Sequence, residues 1–302
     1  MQCLTNLLYG AAQAGAALPL VILAALLITR RGHVFVAFTV SAFLAHISSI
    51  LAFFGIFSLV ADIGVLIAQM QALGQAWVWP DPFDPALLSY RMSFLFWLLS
   101  ALLAFFLRVY FQKKAAYPKD TLPLFELACP LLLTALLGFF FFAAFFCLFW
   151  PFSGLPQGMT FSQALLAVLA HTWHLYFFSL FPAGLFALAF LPIFAKKNLP
   201  KEKSDHLTVI NRLFAACALI GALPRLLSHW GTIVGYLFRT DTPFAIYVDL
   251  AENTAFTVSL MALLVLALGK MPTKTRYFRW AAFASFLIGI CLPALFLLKR
   301  HF

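Results

Sequence analysis

Charge is what this chain has least of. Asp, Glu, Lys and Arg make up only 10% of its 302 residues, against 64% hydrophobic ones, where a soluble domain carries about a quarter charged residues. With a mean hydropathy of +0.98, the sequence excludes a soluble globular domain and describes an all-α, polytopic membrane protein. Acidic residues are scarcer still, 10 against 20 basic ones. The net charge of +10 is nevertheless no nucleic-acid footprint, because the basic residues sit in short clusters between apolar runs rather than along one face. Cysteine is sparse too. Cys3, Cys129, Cys147, Cys217 and Cys291 are scattered, no two have metal-ligand spacing, and they read as small packing residues. No Lys or Arg precedes the first apolar run, so the basic n-region of a cleaved signal peptide is missing. Arg30-Arg31 follow that run instead, as in an uncleaved helix whose N-terminus faces outward. Nor is there a nucleophile motif, a phosphate loop or an acidic metal cluster, which argues against a transferase or hydrolase.

What is abundant is apolar sequence in long runs. Eight segments, near 6–29, 34–59, 89–111, 124–150, 162–194, 208–237, 244–269 and 278–299, each reach the roughly 20 residues that a helical span needs. The fifth and sixth are long enough to tilt or to carry a turn. Basic residues mark alternate connections: Arg30 and Arg31; Arg108, Lys113, Lys114 and Lys119; Lys196, Lys197, Lys201, Lys203 and Arg212; Lys270, Lys274, Arg276 and Arg279. Those four connections are expected on the cytoplasmic side, and both termini outside. Lys299-Arg300 is a small exception. The connections with Asp62, Asp81, Asp84 and Asp241 face outward, with Arg239 as their one basic member. In the largest of these, Leu59 to Ala76 alternates apolar and polar residues like a helix lying in the interface, and Trp77-Val78-Trp79-Pro80 then breaks it. Trp77, Trp79, Trp150 and Trp230 fall near outer boundaries, as interfacial anchors do.

A weak internal repeat lays residues 35–46 on 214–225 and Leu8-Tyr9 on Leu175-Tyr176. Four spans in each half, in the same orientation, describe two parallel four-helix bundles, 1–150 and 151–302.

Ionisable groups at membrane depth are costly, so their placement is informative. In the second half, His171 and His174 share one helix face, as do Arg225 and His229, and as do Asp249, Glu252 and Asn253. In the first half, Gln13, His46 and Arg91 form a smaller set. Most of these lie in the outer half of their spans. Polar residues of this kind also hold helices together, and Gly10, Ala11, Ala14, Gly15 and Ala17 suit close helix packing. Three chemistries fit the ionisable set. A quinol site needs an apolar slot, hydrogen-bond partners for the carbonyl oxygens, and a base that passes protons onward; histidine and carboxylate serve. A b-type haem needs two axial histidines on facing helices, which His46, His171, His174 and His229 could supply, although nothing in the spacing selects a pair. Transport of protons, ions or an anionic solute needs buried charges along a pathway, for which Arg225, Asp249 and Glu252 are candidates. The inner half lacks matching groups.

Eight spans with both ends outside, Gln13-Ala14-Gly15 in the first helix and His46 in the second resemble the NrfD-like membrane-anchor subunits of polysulfide and dimethyl sulfoxide reductases. The likeness is one of architecture over most of the chain and covers few positions at motif level. It implies a quinone-interacting, quinol-oxidising anchor subunit in the bacterial inner membrane, with menaquinone or ubiquinone as bound substrate and no haem. It also implies an iron–sulfur electron-transfer subunit and a catalytic subunit at the outer face. On this resemblance Gln13, Gly15 and His46 map to the family's positions. The richer polar set in the second half and the short external loops depart from its pattern.

Overall fold

The structure is a computed structural model that describes residues 2–29, 34–72, 85–116, 124–153, 161–198, 204–237, 245–268 and 277–288. Among the described residues every element is a helix: α1 (Gln2–Thr29), α2 (Val34–Ala72), α3 (Pro85–Ala116), α4 (Leu124–Ser153), α5 (Phe161–Phe178), α6 (Leu180–Asn198), α7 (Ser204–Leu237), α8 (Ala245–Leu268) and α9 (Tyr277–Ile288). The reason is compositional. Uninterrupted apolar runs offer no polar side chains to satisfy the backbone, and a helix pairs every interior N–H and C=O within itself. Five stretches are long and apolar enough to cross a membrane: Val36–Phe57, Arg91–Ala115, Leu166–Leu191, Leu207–Pro224 and Asp249–Leu268. Three shorter apolar helical stretches accompany them, Ala11–Leu27, Glu126–Phe141 and Tyr277–Ile288.

Two elements differ from the sequence reading. The segment expected to lie in the interface after residue 59 is helical, but it continues α2 to Ala72 without a break. At 39 residues, α2 is about 58 Å long, nearly twice the ~30 Å hydrocarbon thickness. The following stretch with Trp77, Trp79 and Pro80 lies outside the described residues. The long fifth segment, in turn, is two helices. Pro182 has no N–H to give Phe178 O and crowds that carbonyl, so the helix stops at Phe178 and restarts at Leu180. Ser179, fully buried at the break, keeps its own N–H paired, with Leu175 O at 3.0 Å and Tyr176 O at 3.1 Å. Its Oγ–H also donates to Leu175 O.

α1 sits in the middle, packed on α2, α4, α5, α6 and α7. Its small residues explain the choice. Ala12, Ala14, Ala16 and Ala17 are buried, and a Cβ on Gly15 would already lie 3.1 Å from Leu51 Cβ, while one on Gly138 of α4 would lie 3.0 Å from Ala16 Cβ. Pro19, inside α1, leaves Gly15 O without its intrahelical donor. Ser48 of α2 supplies one from outside, its Oγ–H donating to Gly15 O at 3.1 Å. One residue on, Tyr176 of α5 donates its hydroxyl to Ala16 O at 3.3 Å. That bond joins the two halves of the chain. The apolar core does the same, running from Val21 and Leu44 in α1 and α2 through Phe181 and Phe214 to Phe286 in α9. α7 meets the α5–α6 break through glycine: a Cβ on Gly221 would lie 2.6 Å from Phe181 N and 2.8 Å from Phe177 O.

Candidate functional site

The second-half polar set is built on α5, α7 and α8. α7 and α8 run antiparallel and are tied at the polar level. Trp230 Nε1–H donates to Thr257 Oγ1 at 3.1 Å, Thr257 Oγ1–H donates to Asn253 O at 2.7 Å, and Asn253 Nδ2–H donates to Asp249 O at 2.8 Å. Asn253 is buried. Its amide is thus held against the backbone of its own helix one turn back, which fixes it before any ligand arrives. Trp230, expected as an interfacial anchor, also bonds one helix to the next. Asp249 is exposed and Glu252 half-buried. His174 is half-buried on α5. The side chains of His171, Arg225 and His229 lie outside the described residues, although all three positions are helical.

Aromatic packing sets the relation of α5 to α8. Phe178 at the end of α5 meets Phe256 of α8 with ring centroids 6.3 Å apart, and Phe181 and Phe286 complete the cluster, Phe181 lying 5.8 Å from Phe256 and 5.2 Å from Phe286. α5–α6 and α8 are each antiparallel to α7, through the Gly221–Phe181 and Trp230–Thr257 contacts, so α5 and α8 run in the same direction. His174 lies four residues before Phe178, and Glu252 four residues before Phe256. At 3.6 residues per turn each shares a face with its phenylalanine, one turn toward the N-terminal end. His174 on α5 and Glu252 on α8 thus each lie one turn toward the N-terminal end from a member of the Phe178–Phe256 pair.

The first-half set is spread along the bundle. Ser48–Gly15 and Trp97–Ala52 contacts give the registers of α1 on α2 and of α2 on α3. By these registers His46 lies roughly 6 Å to one side of the level of Gln13, and Arg91 roughly 12 Å to the other. Gln13 is buried, His46 half-buried and Arg91 exposed. Among the described residues no three His, Cys, Asp or Glu side chains gather as metal ligands.

A surface groove of about 520 Å³ lies between α8 and α9, lined by Tyr247, Leu250, Ala251, Thr254, Val258 and Ser285 among others. These α8 positions fall on the side of the helix away from Asn253 and Phe256. The groove and the polar set are separate features.

No family model matches the chain, and no curated protein or solved structure matches it either. The functional reading therefore rests on these residues alone.

Three features escaped the sequence reading. Ser48 and Tyr176 act on carbonyls of another helix, and the only sequence hint is Pro19, which announces an orphaned carbonyl four residues earlier without naming its donor. Thr257 was hidden because an isolated threonine in an apolar run carries no signal of its own.

Proposed function

We propose that the chain is a bacterial inner-membrane protein of eight spans in two parallel four-helix bundles, both termini external, serving as the quinone-interacting anchor of a respiratory oxidoreductase complex. The observation that carries this reading is the Phe178–Phe256 contact, from which His174 and Glu252 each lie one turn back along their helices. An apolar aromatic floor suits a quinone ring, and an imidazole beside a carboxylate suits the protons that a quinol releases when it is oxidised. The chain's own residues hold the ring by packing, take a proton at a His174 ring nitrogen, and pass it to the Glu252 carboxylate. Asn253, held by its bond to Asp249 O, stiffens the turn that presents Glu252. At 39 residues, α2 is longer than the ~30 Å hydrocarbon core needs, and its outer end is where an iron–sulfur subunit and a catalytic subunit would meet the chain. Menaquinone or ubiquinone is the substrate, and no haem is required.

A second reading draws on the break at Ser179. Interrupted helices near mid-membrane are how many transporters build solute and ion sites, and Pro224 lies one turn from Gly221 on the facing helix. One experiment separates the two. His174→Gln and Glu252→Gln, introduced in the assembled complex in native membranes, should each lower quinol-dependent reduction of an artificial acceptor by about 100-fold or more, as loss of a positioned acid–base group does, while the protein still inserts. Unchanged quinol oxidation with lost solute or ion flux would establish the transporter instead.

A further inference from the structure

A second polar site lies at the other end of the first half, between α2 and α3. Two contacts set the register of this antiparallel pair. Trp97 Nε1–H donates to Ala52 O, and further along Phe111 meets Phe38 with ring centroids 6.4 Å apart. The residue spacing from 97 to 111 equals that from 38 to 52, so the intervening pairs follow: Ala101 opposite Ser48, Ala104 opposite Ala45, and Arg108 opposite Ser41. Ala45, Ala101 and Ala104 are buried and let the helices approach.

Ser41 is fully buried, and its Oγ has no hydrogen-bond partner. Thr134, Thr172 and Ser179 each settle the same need by donating to the carbonyl four residues back, and Ser41 does not. His46 Nδ1 is likewise buried and unpartnered, but five residues on from Ser41 its ring lies about 140° round the helix and about 8 Å along it, away from this seam. Arg108 is half-buried with its guanidinium over the Phe105 ring, 6.0 Å from the centroid. Among the described residues no carboxylate pairs with it. Leaving a buried hydroxyl unpaired is costly, and a guanidinium with no counter-charge compounds that cost.

We propose that Ser41 and Arg108 bind a phosphate-type oxyanion at the α2–α3 seam. The guanidinium offers paired N–H donors matched to phosphate oxygens, and the serine hydroxyl a third donor. Arg108 lies about one turn, roughly 6 Å, short of Gln112, Lys113 and Lys114, where its apolar run ends. An arginine stem reaches most of that distance, which brings its head to where phospholipid phosphates lie. Lys113 and Lys114 sit at the same end, with Lys114 Nζ 5.5 Å from the Tyr110 ring centroid, and add a favourable field for an anion. The site is independent of the His174–Glu252 pair.

The test uses the full-length protein in micelles, with native mass spectrometry of bound phosphatidylglycerol against phosphatidylcholine, and inorganic phosphate as competitor. Arg108→Gln and Ser41→Ala should each weaken retention of the anionic lipid by about tenfold, the loss expected for a hydrogen bond to a charged group. The Lys113→Gln/Lys114→Gln pair should weaken it less. Displacement by millimolar phosphate identifies a free anion as ligand; lipid retained against phosphate identifies the phospholipid headgroup. If Arg108→Gln does not insert, Ser41→Ala decides, since it removes a single oxygen. Wild-type retention in Ser41→Ala, or a loss confined to the lysine pair, overturns the proposal.

Discussion

Gly221→Ala tests the seam between the two halves of the broken span and α7. The added Cβ would lie 2.6 Å from Phe181 N, 2.8 Å from Phe177 O and 2.9 Å from Leu180 Cβ. Two of these three are backbone atoms at the Ser179 break, so no side-chain rotation relieves the contact, and α5–α6 must move away from α7. Overpacking of this kind costs about 1–3 kcal/mol, and the backbone setting favours the upper end. Against it stands the gain of about 0.5–1 kcal/mol from replacing glycine within a helix. The net expectation is a loss of about 1–2 kcal/mol, roughly a 5- to 30-fold fall in the folded-to-unfolded ratio. Reversible unfolding in mixed detergent and dodecyl sulfate micelles, followed by tryptophan fluorescence, reads this out. Gly231→Ala on the same helix is the internal control. Nothing lies within 4 Å of a Cβ there, so that variant should gain the helix term and become more stable. If Gly221→Ala moves with Gly231→Ala, the close approach of α6 to α7 is not as described here.

Ser48→Ala should cost about 1 kcal/mol in the native chain and markedly less in a Pro19→Ala background, where residue 19 regains an N–H for Gly15 O; equal costs in the two backgrounds in the same unfolding assay would refute the orphan-carbonyl argument. Reporters fused at Gly154 and Phe302 should appear outside and one at Lys201 inside, as judged by compartment-specific activity, and an external Lys201 would undo every assignment of side. The purified, reduced protein should show no haem absorption; a Soret band lost in His46→Ala or His174→Ala would make it a cytochrome b.

The sequence by itself determined the helical class and the membrane setting, because apolar composition and run length act locally and need no neighbours. Proline also acts locally, since the missing N–H of Pro19 and Pro182 is a property of the residue, yet the length of the fifth segment was read only as room for tilt or a turn. The concentration of ionisable groups in α5, α7 and α8 was also visible, as spacing of three or four along a helix places side chains on one face. Which helices meet was not, because every apolar face resembles every other when lipid and protein are equally apolar. Only the tertiary structure brought Phe178 of α5 against Phe256 of α8, two phenylalanines whose sequence context is unremarked in a chain with 37 of them. The same limit applies to Arg108. Its sequence position reads as the margin of a basic connection, and only the antiparallel register of α2 and α3 sets it opposite a buried serine hydroxyl. Register arises from the fit of small residues such as Ala45 and Ala104 between two helices, a quantity that neither helix carries alone.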